Sequence, residues 1–365
     1  MEGMEVTPSF WQGKHVLLTG HTGFKGSWLA LWLHRLGASV TGFSLAPPSE
    51  PNLFTLANIH QCIADVRGDI RELAALNTTI AQHRPDIIIH MAAQSLVRHS
   101  YTHPVETYAT NVMGTVNLLE AVRHANGVRA VLIVTSDKCY ENSDSIIAPS
   151  AKAFSEDDPM GGHDPYSSSK GCAELVIKAY RDAYRSDWIK KGTAIASARA
   201  GNVIGGGDWA ESRLIPDAMR AAIAGNTLRL RNPNAIRPWQ HVLEPLSGYL
   251  MLLEKLYCDG QAFAEGWNFG PKASDTISVE RVVKQMALLW RDMKWKYDTD
   301  THPHEAASLT LDCSNAQQIL GWEPLLTLNE ALAWTINWYK GYKNHADLRA
   351  LCETQIDQYQ SLLST

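Results

Sequence analysis

Val16-Leu17-Leu18-Thr19-Gly20-His21-Thr22-Gly23-Phe24-Lys25-Gly26-Ser27-Trp28-Leu29-Ala30-Leu31-Trp32-Leu33 is the stretch on which the reading of the whole chain turns. An apolar run of strand length passes through evenly spaced glycines into a segment of helical period. Gly20 lets the chain reverse off the strand, Gly23 keeps a Cβ out of the path of a pyrophosphate, and Gly26 lets the helix pack closely on the sheet. The helix start then offers its unpaired N–H groups to the anion. Glycines fall at such spacings in ordinary turns too; a strand before and a helix after favour a dinucleotide site. Thr19, Gly20, Thr22, Gly23, Phe24, Lys25 and Gly26 are its expected contacts.

Outward from that turn, short apolar runs alternate with helical segments through the first half of the chain. The pattern implies parallel strands joined by right-handed crossovers, hence an α/β, Rossmann-type doubly wound sheet. Strands are expected over residues 15–18, 39–43, 61–66, 85–90, 130–135 and 193–198, and helices over 25–36, 104–124 and 166–188. Regularity weakens after Ala200, where Gly205-Gly206-Gly207-Asp208 and Arg231-Asn232-Pro233-Asn234 read as loops. Residues 1–200 with about 236–262 are assigned to the cofactor domain, and about 201–235 with 263–365 to a smaller, discontinuous α/β substrate domain.

The 365 residues, 45% hydrophobic, are ample for a buried core. A net charge of -5 gives no broad positive field, which argues against nucleic acid or an anionic membrane as partner. No apolar run approaches the ~20 residues that span a bilayer. Glu2 and Glu5 near the start do not fit a signal peptide, so a cytoplasmic location is expected. The six cysteines are scattered and read as reduced, mostly buried thiols. His302-Pro303-His304-Glu305 places a proline between its histidines, and no metal site is expected.

The second strand ends in Thr41-Gly42-Phe43-Ser44-Leu45 with no acid for a ribose 2′-hydroxyl, and residues 41–49 hold no Arg or Lys for a 2′-phosphate. NAD is favoured on that absence. Asp69 is a candidate for the adenine end, with a helix N-cap as its alternative. Ser44, Ile70 and the small-residue run Ala92-Ala93-Gln94 complete the expected cofactor wall.

Tyr166-Ser167-Ser168-Ser169-Lys170 sets a phenol and an ammonium one helical turn apart on one face. The ammonium can lower the phenol's pKa and make it a usable acid or base. With the glycine turn upstream and Thr135-Ser136 ending an intervening strand, the chain resembles the extended short-chain dehydrogenase/reductases, and the resemblance spans nearly all of it. Ser136-Asp137-Lys138 is similar to the Thr-Asp-Glu triplet of the nucleotide-sugar 4,6-dehydratases, which related 4-epimerases lack. Four strings carry the resemblance further: residues 135–140, 160–166, 199–209 and 236–242.

The resemblance implies NAD as cofactor, with Thr135, Tyr166 and Lys170 among its contacts, and CDP-glucose as substrate. Tyr166, helped by Ser136, would take the proton of the sugar 4-hydroxyl; the 4-ketone acidifies C5–H, and Asp137 would protonate the departing 6-hydroxyl. Lys138 departs from the glutamate of dTDP-glucose enzymes, and serves as C5 base only if its pKa is depressed; an ion pair with Asp137 is its alternative role. Gln94, Ser95 and Arg98 are expected at the sugar, Asn202, Arg213 and Leu214 at the diphosphate, and Arg237 with His304 at the far side. The resemblance further implies a homodimer built on helices 104–124 and 166–188, with a tetramer left open, in the synthesis of deoxyhexoses of bacterial lipopolysaccharide O-antigen. Other nucleotide hexoses, a 4-epimerase activity and a non-enzymatic NAD-sensing module are the rival readings.

Overall fold

The computed structural model describes residues 6–142, 153–300 and 309–364. Strands β1 (His15–Thr19), β2 (Ser39–Ser44), β3 (Ala64–Arg67), β4 (Ile87–His90), β5 (Ala130–Val134), β6 (Ala194–Ala200) and β7 (Gly266–Phe269) form one parallel sheet in the order β7-β6-β5-β4-β1-β2-β3. The order reverses between β1 and β4, and that crevice is where such a sheet binds ligands.

Each central strand reads as an unbroken apolar run because both faces are covered. Leu17, Ile88, Val131 and Ile133 point to one layer, with Leu76 and Ile80 of α2 (Leu73–His83), Leu118 and Val122 of α3 (Gly114–His124) and Ile177 of α4 (Pro165–Ala183). Val16, Leu18, Ile89 and Leu132 point to the other, against α1 (Phe24–Arg35) and α6 (Leu243–Asp259), α5 being Leu214–Ala224. Trp28 and Trp32 of α1 are fully buried. Of the two C-terminal helices, α7 (Leu328–Lys343) and α8 (Leu348–Leu363), α8 buttresses α1: Trp32 meets Tyr359 edge-on at 5.8 Å, and Asp357 accepts from Arg35 at 2.7 Å.

The structure departs from expectation in five respects. The third strand starts at Ala64, after a 3-10 turn at Ile59–Gln61; its exposed residues Ala64, Asp65 and Arg67 hide an edge strand from a hydrophobicity reading. The helix expected over 104–124 contains a wide turn at Ala109–Met113, and the one over 166–188 breaks at Tyr184. β7, placed in the substrate domain by sequence order, pairs with β6 from Gly266↔Ser197 to Phe269↔Ala200, so the boundary drawn after 262 falls ahead of a strand of the central sheet. Of the six free cysteines, Cys139, Cys313 and Cys352 are buried, whereas Cys62 and Cys172 are half-buried and Cys258 is exposed; the expectation of mostly buried thiols holds for half of them. Among the described residues no helix is long and apolar enough to cross a membrane.

Candidate active site

The glycine turn stands at the switch point, and its shape follows from what a side chain would strike. Gly20 has φ +78, and a Cβ there would lie 2.7 Å from Ala92 N; at Gly26 it would lie 2.2 Å from Gly20 O. At Gly23 the nearest atom to such a Cβ is Gly20 O at 3.4 Å, so no other described residue closes on that space. α1 starts directly after Gly23 with no side-chain cap on its first N–H groups. Open space over Gly23 beside uncapped donors fits a dinucleotide pyrophosphate. A Gly26→Ala variant is expected to lose ~1–3 kcal/mol by overpacking and to bind NAD more weakly, read by thermal denaturation and NAD titration.

Hydroxyls lock the turn to its neighbours. Thr22 Oγ1 donates to Leu45 O at 3.1 Å, so Ser44 donates to Thr22 across 2.8 Å. Thr19 Oγ1 accepts from the N–H groups of Met91 and Ala92 at 3.1 and 3.2 Å and therefore donates to His90 Nδ1 at 2.7 Å. Asp69 is not the helix N-cap, which is Glu72; it accepts from Arg71 N at 2.9 Å and grips the Arg71 guanidinium, which holds its carboxyl below the usual range. Ile70 is buried behind it, and Ala92 and Ala93 are half-buried. Sequence reading missed His21 and Asp65, 2.8 Å apart, with Arg67 on the same carboxylate at 2.7 Å. The signal was Gly42, where a Cβ would come within 2.4 Å of the His21 ring.

The catalytic corner leaves the end of β5. Ser136 caps a 3-10 turn, Asp137–Cys139, by accepting from Lys138 N at 3.3 Å. Asp164 and Pro165 start α4, Asp164 accepting from Ser167 N at 2.9 Å, which sets Tyr166 in the first turn and Lys170 one turn on, both buried. Ser136 Oγ donates to Asp137 Oδ1 at 2.9 Å, and the hydrogen bond between Ser136 and Tyr166 favours the phenolate form of the tyrosine. Asp137 Oδ2 is buried with no hydrogen-bond partner among the described residues. Burial raises the Asp137 carboxyl above its ordinary value, with Lys138 the strongest charge opposing.

One expectation about this pair is corrected. Burial pushes the Tyr166 phenol up to about 12, and its strongest charged neighbours are Asp137, Arg213 and Asp164 rather than Lys170. The Lys170 ammonium reaches Val134 O at 3.3 Å, and burial brings it down to about 8. Sharing a helix face does not bring the two head groups together, because each reaches a different point on the end of β5.

On the substrate side, Arg213 donates to Ser95 Oγ at 2.8 Å and to Asp208 Oδ2 at 3.1 Å. Arg237 is buried and stands among the cations acting on Asp137. Asn202 accepts from Gln240 N through its carbonyl at 3.1 Å, next to Gly201, whose missing Cβ would sit 3.1 Å from Asp137 Oδ2. Arg98 lies half-buried on the helix Val97–Thr102, and Leu214 opens α5. Gln94 is turned inward, its amide donating to Thr107 Oγ1 at 2.9 Å and to Leu96 O at 3.1 Å. Thr135 gives its hydroxyl proton to Glu174, so toward a cofactor that oxygen can only accept. Burial, then Arg213 and Lys170, bring Lys25 down to about 8, with Asp137 and Asp208 the charges that oppose this. His304 and the segment His302-Pro303-His304-Glu305 lie outside the described residues.

A doubly wound sheet with a glycine turn at its switch point and a Ser-Tyr-Lys set at the adjoining strand end defines an extended short-chain dehydrogenase/reductase. The chain belongs to the GDP-mannose 4,6 dehydratase family, whose profile matches residues 17–335. It is 48% identical over 359 residues to a CDP-glucose 4,6-dehydratase of Salmonella typhimurium, covering 98% of this chain and 99% of that protein. It is 28% identical over 342 residues to a UDP-glucose 4-epimerase of Halalkalibacterium halodurans, covering 89% and 95%. Its fold superposes with TM-score 0.75 and 25% identity on DesIV, a dTDP-glucose 4,6-dehydratase of Streptomyces venezuelae solved with NAD and TYD bound, over 91% of this chain and 98% of that one.

Proposed function

We propose that the protein is an NAD-dependent lyase converting CDP-D-glucose to CDP-4-dehydro-6-deoxy-D-glucose and water. The observation that carries the elimination is Asp137: a buried carboxyl, raised by burial, with one oxygen unpartnered among the described residues. Ser136 already donates to Oδ1, so the acid proton belongs on Oδ2, free to be given to a leaving hydroxyl. A 4-epimerase needs no such acid, which favours dehydration over the epimerase reading. The 48% identity to a CDP-glucose enzyme supports the choice of base.

NAD would rest on Gly20, Gly23 and the start of α1, with Thr22 and Ser44 at its ribose side. Bound there, it supplies the hydride acceptor at C4 and the donor for C6. Tyr166 takes the 4-hydroxyl proton as a phenolate, the form that its hydrogen bond with Ser136 favours and that a bound nicotinamide cation would favour further. Arg213 and Arg237 supply the forked donors a diphosphate calls for, and Lys25 joins them as a cation on that side. Lys138, the strongest charge acting on Asp137, is assigned as the C5 base over its alternative role as ion-pair partner of that carboxyl, on the condition of a depressed pKa: Lys138→Ala is expected to abolish solvent deuterium entry at C5, and undiminished exchange with undiminished turnover would remove it from the mechanism. Incubation with CDP-, dTDP-, UDP- and GDP-glucose, followed by mass spectrometry for loss of water, tests the function itself; loss from another nucleotide sugar in preference to CDP-glucose would change the substrate.

The same reading includes a cytoplasmic homodimer serving deoxyhexose synthesis and a division into cofactor and nucleotide-sugar domains. Val105 (82% exposed), Met113 (51%) and Leu175 (56%) give the neighbouring helices Pro104–Tyr108, Ala109–Met113 and α4 an apolar outer face that a second copy would cover. Leu175→Glu is expected to shift the protein to monomer in size-exclusion chromatography.

A further inference from the structure

The geometry points to Glu174 and Arg199 as positioning residues that grip both ends of the Ser136-Asp137-Lys138-Cys139 corner and fix it against the helix carrying Tyr166 and Lys170. The inference rests on the reading of that corner as the elimination site. Glu174 is 4% exposed and lies one turn beyond Lys170 on the same face of α4. Its carboxylate accepts from Thr135 Oγ1, from Ser197 Oγ at 2.7 Å, and from Arg199 Nε and Nη2 at 3.0 and 2.9 Å. Thr135 is the residue from which the corner departs. The remaining arm of Arg199, Nη1, donates to Tyr140 OH at 2.6 Å, and Tyr140, where the corner ends, donates its own O–H to Asn268 Oδ1 at 2.7 Å. One half of the ion pair therefore holds the residue before the corner and the other half the residue after it.

Stability alone is a weak reason for this pair. Desolvating two charges costs so much that a well-packed apolar pair in their place is often neutral or better. A fully satisfied buried network does, however, hold its members in one geometry, and a displacement of ~1 Å in a reacting group can cost ~100-fold in rate. Glu174 and Arg199 lie behind the corner, and their effect passes through Thr135 and Tyr140.

The test uses the double variant Glu174→Leu with Arg199→Met, and separately the near-isosteric Thr135→Val and Tyr140→Phe. The double variant is expected to fold with a modestly lowered thermal midpoint, because Thr135, Ser197 and Tyr140 each lose a buried partner, while kcat falls ~100-fold, with KM for CDP-glucose little changed. Hydrogen exchange of the 137–139 amides should accelerate at least ~10-fold while that of β1 stays constant. Thr135→Val is expected to reproduce both effects in part, and it decides the matter if the double variant does not fold. Wild-type kcat together with wild-type exchange in folded double variant or in Thr135→Val overturns the inference. If the unmodified protein forms no 4-keto-6-deoxy sugar, the proposed function fails, while amide exchange still reads the grip on the corner.

Discussion

Asp137→Asn is expected to lower product formation on the order of 10²–10³-fold while solvent deuterium still enters C5 of recovered substrate. The carboxyl is buried and unpartnered at Oδ2, so the amide fits the same space without leaving a charge unpaired. What disappears is the proton for the leaving 6-hydroxyl. Formation of the ketone and opening of C5–H precede that step and should survive. Burial also fixes the pH behaviour: the folded-state pKa of Asp137 is raised, so its acid form persists where an exposed aspartate is ionised, and water loss weakens as pH rises through the raised value. The variant should lack that alkaline limb. Full activity in Asp137→Asn would remove the acid from the mechanism.

Tyr166→Phe should cost more, on the order of 10³–10⁴-fold, and with a different signature. Without the phenol no group takes the 4-hydroxyl proton, no ketone forms, and no deuterium should enter C5. The ring remains buried at the start of α4, where its backbone N–H donates to Ser100 Oγ at 3.1 Å, so the fold and NAD binding should persist. Deuterium at C5 with no product identifies loss of the acid; absence of both identifies loss of the base. Deuterium entry at the wild-type rate in Tyr166→Phe would move the oxidation to another residue.

The glycine turn, the strand runs of β1, β4 and β5, and the Tyr166–Lys170 pair were all legible because each is a local pattern. Glycine spacing reports where backbone approaches backbone, an unbroken apolar run reports a strand covered on both faces, and a four-residue spacing reports one helix face. β3 was read early because an exposed edge strand carries little hydrophobic signal. β7 was assigned to the wrong side of a boundary because pairing between Gly266 and Ser197 leaves no mark on either segment alone.

For the site, residue types were readable and their commitments were not. Nothing near Gln94 says that its amide turns toward Thr107, nothing near Thr135 says that its hydroxyl belongs to Glu174, and Arg213 meets Ser95 across 118 residues of chain. The ionisation of Asp137, Lys25 and Lys170 depends on burial built from several segments at once. Short-range pattern thus suffices for the doubly wound sheet, its glycine turn and the residue types proposed to react. Which groups face the cleft, which are charged there, and what holds the Ser136–Cys139 corner in place arise only on folding, because desolvation and long-range partners exist only once distant segments pack together.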